Sequence, residues 1–198
     1  MNTPALSNNH ILSASLSFLT ALVLSTHSQT ANTASNEPGF SPYVDKAGNI
    51  SLPADFRITM AHLGSWFAPE GDGRGFHDVY TEATSVLYYR KHGKFPDGAT
   101  IVKEVRAEKS GDYTTGKNIS FATGEIKQWF VMIKDTKGRF PGNLNWGDGW
   151  GWALIKTDHT NKNVSTNYQA DCINCHMPAK ENDWIYVNEY PTLTTRNR

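Results

Sequence analysis

The sequence holds only two cysteines in 198 residues, Cys172 and Cys175, and both fall in one short motif. A bridge from either to another part of the chain is therefore excluded. A bridge between them would close so short a loop that it would constrain little of the unfolded chain. Charge of one sign is not in excess, since Lys+Arg and Asp+Glu are each 19. Neither a basic surface for nucleic acid nor an acidic tail is indicated. No apolar run reaches the roughly 18 residues that a membrane-spanning helix needs. The first 34 residues contain no Lys, Arg, Asp or Glu.

What that uncharged stretch does contain is an apolar run, Ile11 to Leu24, followed by Ser, Thr, Asn and Ala with small residues at Ala31 and Ala34. Residues 1–34 read as a secretory signal peptide. The run lacks a basic side chain before it and a strict A-x-A site after it. Export, to the periplasm or beyond, is the expectation, with no membrane span after processing. Residues 35–48 then read as an N-terminal linker, and residues 49–198 as one domain.

Within that domain the pattern alternates between strand and turn signals. Pro53 to Arg57 suggests a short helical turn, and Ile58 to Phe67 a strand. Ala68 to Gly75 reads as a loop. Glu82 to His92 has Ala83, Val86 and Leu87 at helical spacing, with Arg90 continuing that face and Gly93 as the stop. Thr100 to Arg106, Glu125 to Lys134 and Trp152 to Lys156 read as strands, with a polar hairpin loop over Ser110 to Lys117. Asn143 to Trp152 is rich in Gly and Trp, as expected of a tight turn with aromatic cover. Tyr168 to His176 reads as a helix. These signals add up to an α+β domain, an antiparallel sheet with flanking helices.

The chemistry lies in Cys172-Ile-Asn-Cys175-His176. C-x-x-C-H is the attachment sequence of c-type haem. Two thiols bond the two vinyl groups of one haem, and the adjacent imidazole of His176 binds the same iron. A redox dithiol would more often open a helix in a βαβ unit, and a zinc site would need more ligands than one Cys pair offers. Downstream of the motif the only methionine is Met177, next to the histidine and unable to reach the other haem face. Met60 and Met132 lie upstream and suit a strand core better than iron. An iron without a strong sixth protein ligand points to gas binding or catalysis rather than electron carriage alone.

From about Ile50 to Leu193 the chain resembles the cytochrome P460 family. The residues that carry the resemblance are Leu52-Pro-Ala-Asp-Phe-Arg57, Gly98 to Glu104, Cys172 to His176, Asp183-Trp-Ile-Tyr186 and Tyr190-Pro191. The resemblance implies a β-rich, often dimeric fold with one covalent five-coordinate haem c. It also implies, at Lys103, a side chain cross-linked to the porphyrin to give a P460-type chromophore, and hydroxylamine as substrate. On spacing alone, Lys103 could equally be a strand lysine facing solvent. Catalytic members of the family carry an acid in the distal pocket. Here Met177-Pro178 follows the haem histidine directly, Glu181 and Asp183 come only later, and no acid maps onto that position. His77 is the candidate distal base and His62 another, whereas Glu104 should face away from Lys103. Two functions follow. One is a haem oxidoreductase acting on hydroxylamine or a similar small nitrogen species, with electrons passed to another cytochrome. The other is a cytochrome c'-beta-like protein that holds NO or CO without turnover. A base in the pocket favours the first, an aromatic cap without a base the second.

Overall fold

The computed structural model describes residues 40–159 and 162–194. The expected signal peptide and the first residues of the expected linker lie outside them. Six strands form one antiparallel sheet, β1 (Ala61–Ala68), β2 (Gly75–Thr81), β3 (Thr100–Tyr113), β4 (Gly116–Lys134), β5 (Trp146–Gly147) and β6 (Trp150–Lys156), in the order β1-β2-β3-β4-β6-β5. Short helices flank it: α1 (Phe56–Thr59), α2 (Ala83–His92), α3 (Tyr168–Asp171) and α4 (Ile173–His176). This is the α+β arrangement that the strand and turn signals predict.

Residues paired across strands share a face. On the front face stand Trp66, His77, Val79, Lys103, Phe130, Met132, Trp152 and Leu154, linked by pairs such as Val79 with Lys103, Lys103 with Phe130, and Met132 with Trp152. On the back face stand Asp78, Tyr80, Val102, Glu104, Trp129, Val131 and Ile155. The front core joins Val79, Ile101, Met132 and Trp152 to Trp184, Ile185 and Tyr190 of the C-terminal segment. The back is covered by Ile50, Phe56 and Met60.

The back cover corrects the reading of residues 35–48 as a linker. From Phe40 onward that segment is anchored. The Ser41 and Thr100 hydroxyls meet at 2.9 Å in a buried contact. Val44 bridges Ile50, and the Trp146 indole N–H donates to the Gly48 carbonyl at 2.8 Å. Phe40, Tyr43 and Val44 pack on the back core, which supplies the apolar area to order them.

Helix α2 forms where expected and ends at Gly93, whose φ of 68° needs no Cβ. Its buried face differs from the expected one. Ser85 and Val86 are buried and Tyr89 packs on the core, while Leu87 is 64% exposed. The cause is Glu82, whose carboxylate accepts from Ser85 Oγ at 2.9 Å and from the Thr100 amide at 3.0 Å. That bond ties the helix start to β3 and sets its rotation.

Strand β2 has no counterpart among the expected elements, and its His77 and Asp78 are both buried. The hairpin of β3 and β4 also runs further than the expected loop at 110–117. Ser110 and Ser120 pair directly, with hydroxyls 2.6 Å apart. The expected turn in the Gly/Trp stretch is present. Asp148 and Gly149, with φ of 52° and 79°, link β5 to β6. Two left-handed residues in succession are what a tight type I′ hairpin requires.

Glu104, fully buried on the back face, carries the main polar network there. Its carboxylate pairs with the Arg57 guanidinium, accepts from Trp129 Nε1 at 3.1 Å and lies 3.3 Å from Arg106 Nε. Removing it would leave buried donors without an acceptor. Glu104→Ala is expected to cost about 3 kcal/mol, measured as a lower urea midpoint with unchanged slope. A loss under about 1 kcal/mol would mean that the network contributes no more than a surface pair.

Candidate functional site

Helix α3 begins at Asn167, whose side chain accepts from the Gln169 amide at 3.0 Å. Its carboxylate Asp171 turns back to Ser165 Oγ at 2.9 Å and to the Thr166 amide at 3.1 Å. At Cys172 the backbone leaves helical geometry, with φ of −123°, and α4 then carries Cys175 and His176. The single helix expected over 168–176 is therefore two short turns with a break at the first cysteine. The break places Cys172 inward and leaves Cys175 exposed. Burial pushes the Cys172 thiol up to about 11.

His176 is oriented by the chain that follows it. Its Nδ1 lies 2.7 Å from the Trp184 carbonyl. A carbonyl can only accept, so Nδ1 carries the proton and the Nε2 lone pair is left for a metal. Burial, together with the nearby Lys103 cation, pulls the imidazole down to about 4, against the raising effect of the Trp184 bond. The ring is neutral at physiological pH, the form in which imidazole binds metals. Trp152 meets it edge to face, with ring centres 5.0 Å apart. Tyr186 Oη donates to the Cys175 carbonyl at 2.5 Å and holds the end of α4.

Between these turns and the front of the sheet lies a cavity of about 840 Å³. Cys172, Cys175 and His176 line one side, and Trp66, His77, Lys103, Phe130, Met132 and Trp152 the other. The donor set fits haem c. Two thiols and an imidazole with its Nε2 free stand on one wall, faced by aromatic and apolar side chains. The volume lies in the range of cofactor pockets, roughly 300–1,000 Å³.

Two further expected residues enter this cavity. Lys103 is half-buried, with Nζ 4.1 Å from the centre of the Phe130 ring. Burial lowers its ammonium to about 8. The alternative of a solvent-facing strand lysine does not hold. His77 is buried and stacks on Trp66 with ring centres 4.9 Å apart. Its Nε2 lies 2.6 Å from the Gly73 carbonyl, so Nε2 bears the proton, and Nδ1 has no hydrogen-bond partner among the described residues. Burial lowers its pKa below the ordinary histidine value.

Other candidates fall elsewhere. Met60 is on the back core, and Met132 lines the cavity from β4. His62 is on the surface, 2.9 Å from Ser65 Oγ. Glu104 faces away from Lys103, as the strand period requires, and Asp183 is paired with Lys134. Glu181 is exposed. Sequence reasoning missed Asp72, Gln128, Phe130, Tyr186 and Glu189, all of which line the cavity. Gln128, Phe130 and Met132 alternate on β4, so a strict period-two reading of that strand would have found them.

Made with c-type maturation machinery, the chain is expected to keep its haem through denaturing electrophoresis. Replacing Cys172 and Cys175 together by Ser should release it. Haem that leaves the unaltered chain on denaturation would remove the covalent assignment.

The sequence model of the cytochrome P460 family matches residues 53–187, more than half of the chain. No curated protein matches the chain significantly. The match spans α1, the whole sheet and the Cys172–His176 turn, it implies a haem c cofactor, and the chain belongs to the cytochrome P460 family.

Proposed function

We propose that this chain is an exported haem oxidoreductase that oxidises hydroxylamine or a similar small nitrogen species and passes the electrons to another cytochrome. What supports this reading is the presence of Lys103 and His77 together in the haem cavity, one a partly deprotonated amine and the other a neutral imidazole. Export rests on the uncharged leader over 1–34.

Bound haem supplies an iron that takes electrons from a coordinated substrate. The chain's own residues supply the rest. With its pKa lowered to about 8, Lys103 is neutral in roughly a tenth of molecules at pH 7, against fewer than roughly one in a thousand for an ordinary lysine. Only the neutral amine is a nucleophile, so the front-face position suits Lys103 for a cross-link to the macrocycle, in which one N–C bond replaces an N–H and a C–H bond and an external two-electron oxidant of the peroxide class takes up the electrons and protons. Among the described residues no carboxylate pairs with its Nζ to hold the proton on. With Nε2–H committed to Gly73, Nδ1 is the one His77 nitrogen left to take a proton, and because that atom is buried the ring must turn for a substrate to reach it. Oxidation of an N–O substrate releases protons as electrons leave, and a positioned base accelerates that step.

The aromatic lining, Trp66, Phe130 and Trp152, favours a second reading. Without a cross-link, such a cavity would hold NO or CO and turn nothing over.

The ferrous absorbance spectrum separates the two. A Soret band shifted strongly to the red of ordinary ferrous haem c is expected, and Lys103→Arg should abolish the shift. An ordinary five-coordinate spectrum from the unaltered chain would move the assignment to gas binding. Cross-linking of newly loaded haem should speed up about tenfold per pH unit up to about pH 8, then level off, since deprotonation is complete above the Lys103 pKa. His77→Gln should lower kcat/KM for hydroxylamine by about a hundredfold or more with the chromophore intact. An unchanged value would exclude His77 as the base.

A further inference from the structure

Three features with no part in the reading above meet at one place. They are the Gly/Trp-rich stretch 146–152, the nearly buried Lys134, and a left-handed pair of residues just after the haem motif. Asp183 and Trp184 have φ of 58° and 66°. Neither is glycine, and a bulky Trp in that region persists only where its surroundings fix it. The carbonyl of this same Trp184 is the acceptor for His176 Nδ1–H.

The surroundings are specific. Lys134 Nζ bonds Asp183 Oδ1 at 2.8 Å. The Trp150 indole N–H is shared between the Asp183 carbonyl at 3.0 Å and Oδ1 at 3.2 Å. Lys134 Nζ also sits 4.7 Å from the centre of the Trp150 ring. The glycines of the stretch make room for this assembly. A Cβ on Gly149 would lie 3.0 Å from Lys134 Nζ, and one on Gly147 would lie 2.3 Å from Tyr168 Oη. Trp152, two residues on from Trp150, carries the ring that meets His176. The β5–β6 hairpin thus presents one Trp to the histidine and another to the turn that orients it.

We propose that Lys134 and Asp183 are positioning residues for the proximal histidine, a role that rests on His176 being the iron ligand. Their ion pair, with Trp150, pins the left-handed turn so that the Trp184 carbonyl stays on Nδ1–H. Donation from Nδ1–H makes the imidazole a stronger electron donor through Nε2, and such second-shell bonds tune a metal. Loss of the pair frees the turn, weakens the bond to the carbonyl and makes His176 a poorer donor.

The test uses the haem-loaded protein with Lys134→Met, Lys134→Arg and Asp183→Asn. Asn tolerates left-handed backbone, so Asp183→Asn removes the charge without adding strain at that residue. The readouts are the iron–histidine stretching frequency of the ferrous form and its reduction potential. Lys134→Met and Asp183→Asn are expected to lower the frequency and raise the potential, and Lys134→Arg to stay close to the unaltered protein. Unchanged frequency and potential in the first two would overturn the proposal. So would loss of haem from Lys134→Arg as well as Lys134→Met, since Lys134 would then serve folding alone. Failure of the unaltered chain to bind haem covalently would instead overturn the haem reading itself.

Discussion

Neighbouring residues of an extended strand point to opposite sides of the sheet, and on β3 this alternation falls between Lys103 and Glu104. Lys103 faces the haem cavity without a carboxylate partner among the described residues, and its pKa falls. Glu104 faces the back, where Arg57, Arg106 and Trp129 satisfy its carboxylate. A one-residue slip of β3 would exchange the two. It would put a paired acid's position in the cavity and a lone cation in the back core. Register on this strand is therefore a condition for the chemistry, and the back-face network opposes the slip because a buried carboxylate without donors is costly.

The two sides carry unequal burdens. The back is a conventional core sealed by residues 40–56, with its charges matched. The front holds the groups whose charge burial opposes: His77 with its orphan Nδ1, the Lys103 amine and the neutral His176. Low polarity shifts each of them toward its uncharged form, because burial penalises the charged one. The same apolar surroundings thus favour a neutral amine at Lys103 and neutral imidazoles at His77 and His176.

Much of this was legible in the chain. The fivefold motif Cys172–His176 identifies haem attachment by chemistry alone, and the Val102-Lys103-Glu104 alternation predicts opposite faces for its two charges. Helix α2 and its Gly93 stop followed from spacing. What misled was polarity. His77 and Asp78 are polar, yet β2 buries both, because each finds partners on other strands: Trp66 and Val105 beside His77, Ser65 and Arg106 beside Asp78. The buried face of α2 went astray for a similar reason, since the Glu82 bonds to β3 outweigh the weak apolar stripe of the helix.

The sequence by itself determined the haem-attachment motif and the class of fold. Thiol spacing and hydrophobic period are local properties, readable within a few residues. Tertiary structure alone decided which side chains share the cavity with His176. Residues separated by about a hundred positions in sequence, such as His77 and His176, meet because strand pairing and the broken helix at Cys172 bring them there. The tautomer of His176 was likewise set by a carbonyl on a left-handed turn whose geometry no local pattern encodes, since Asp183 and Trp184 hold it only through contacts with Lys134 and Trp150.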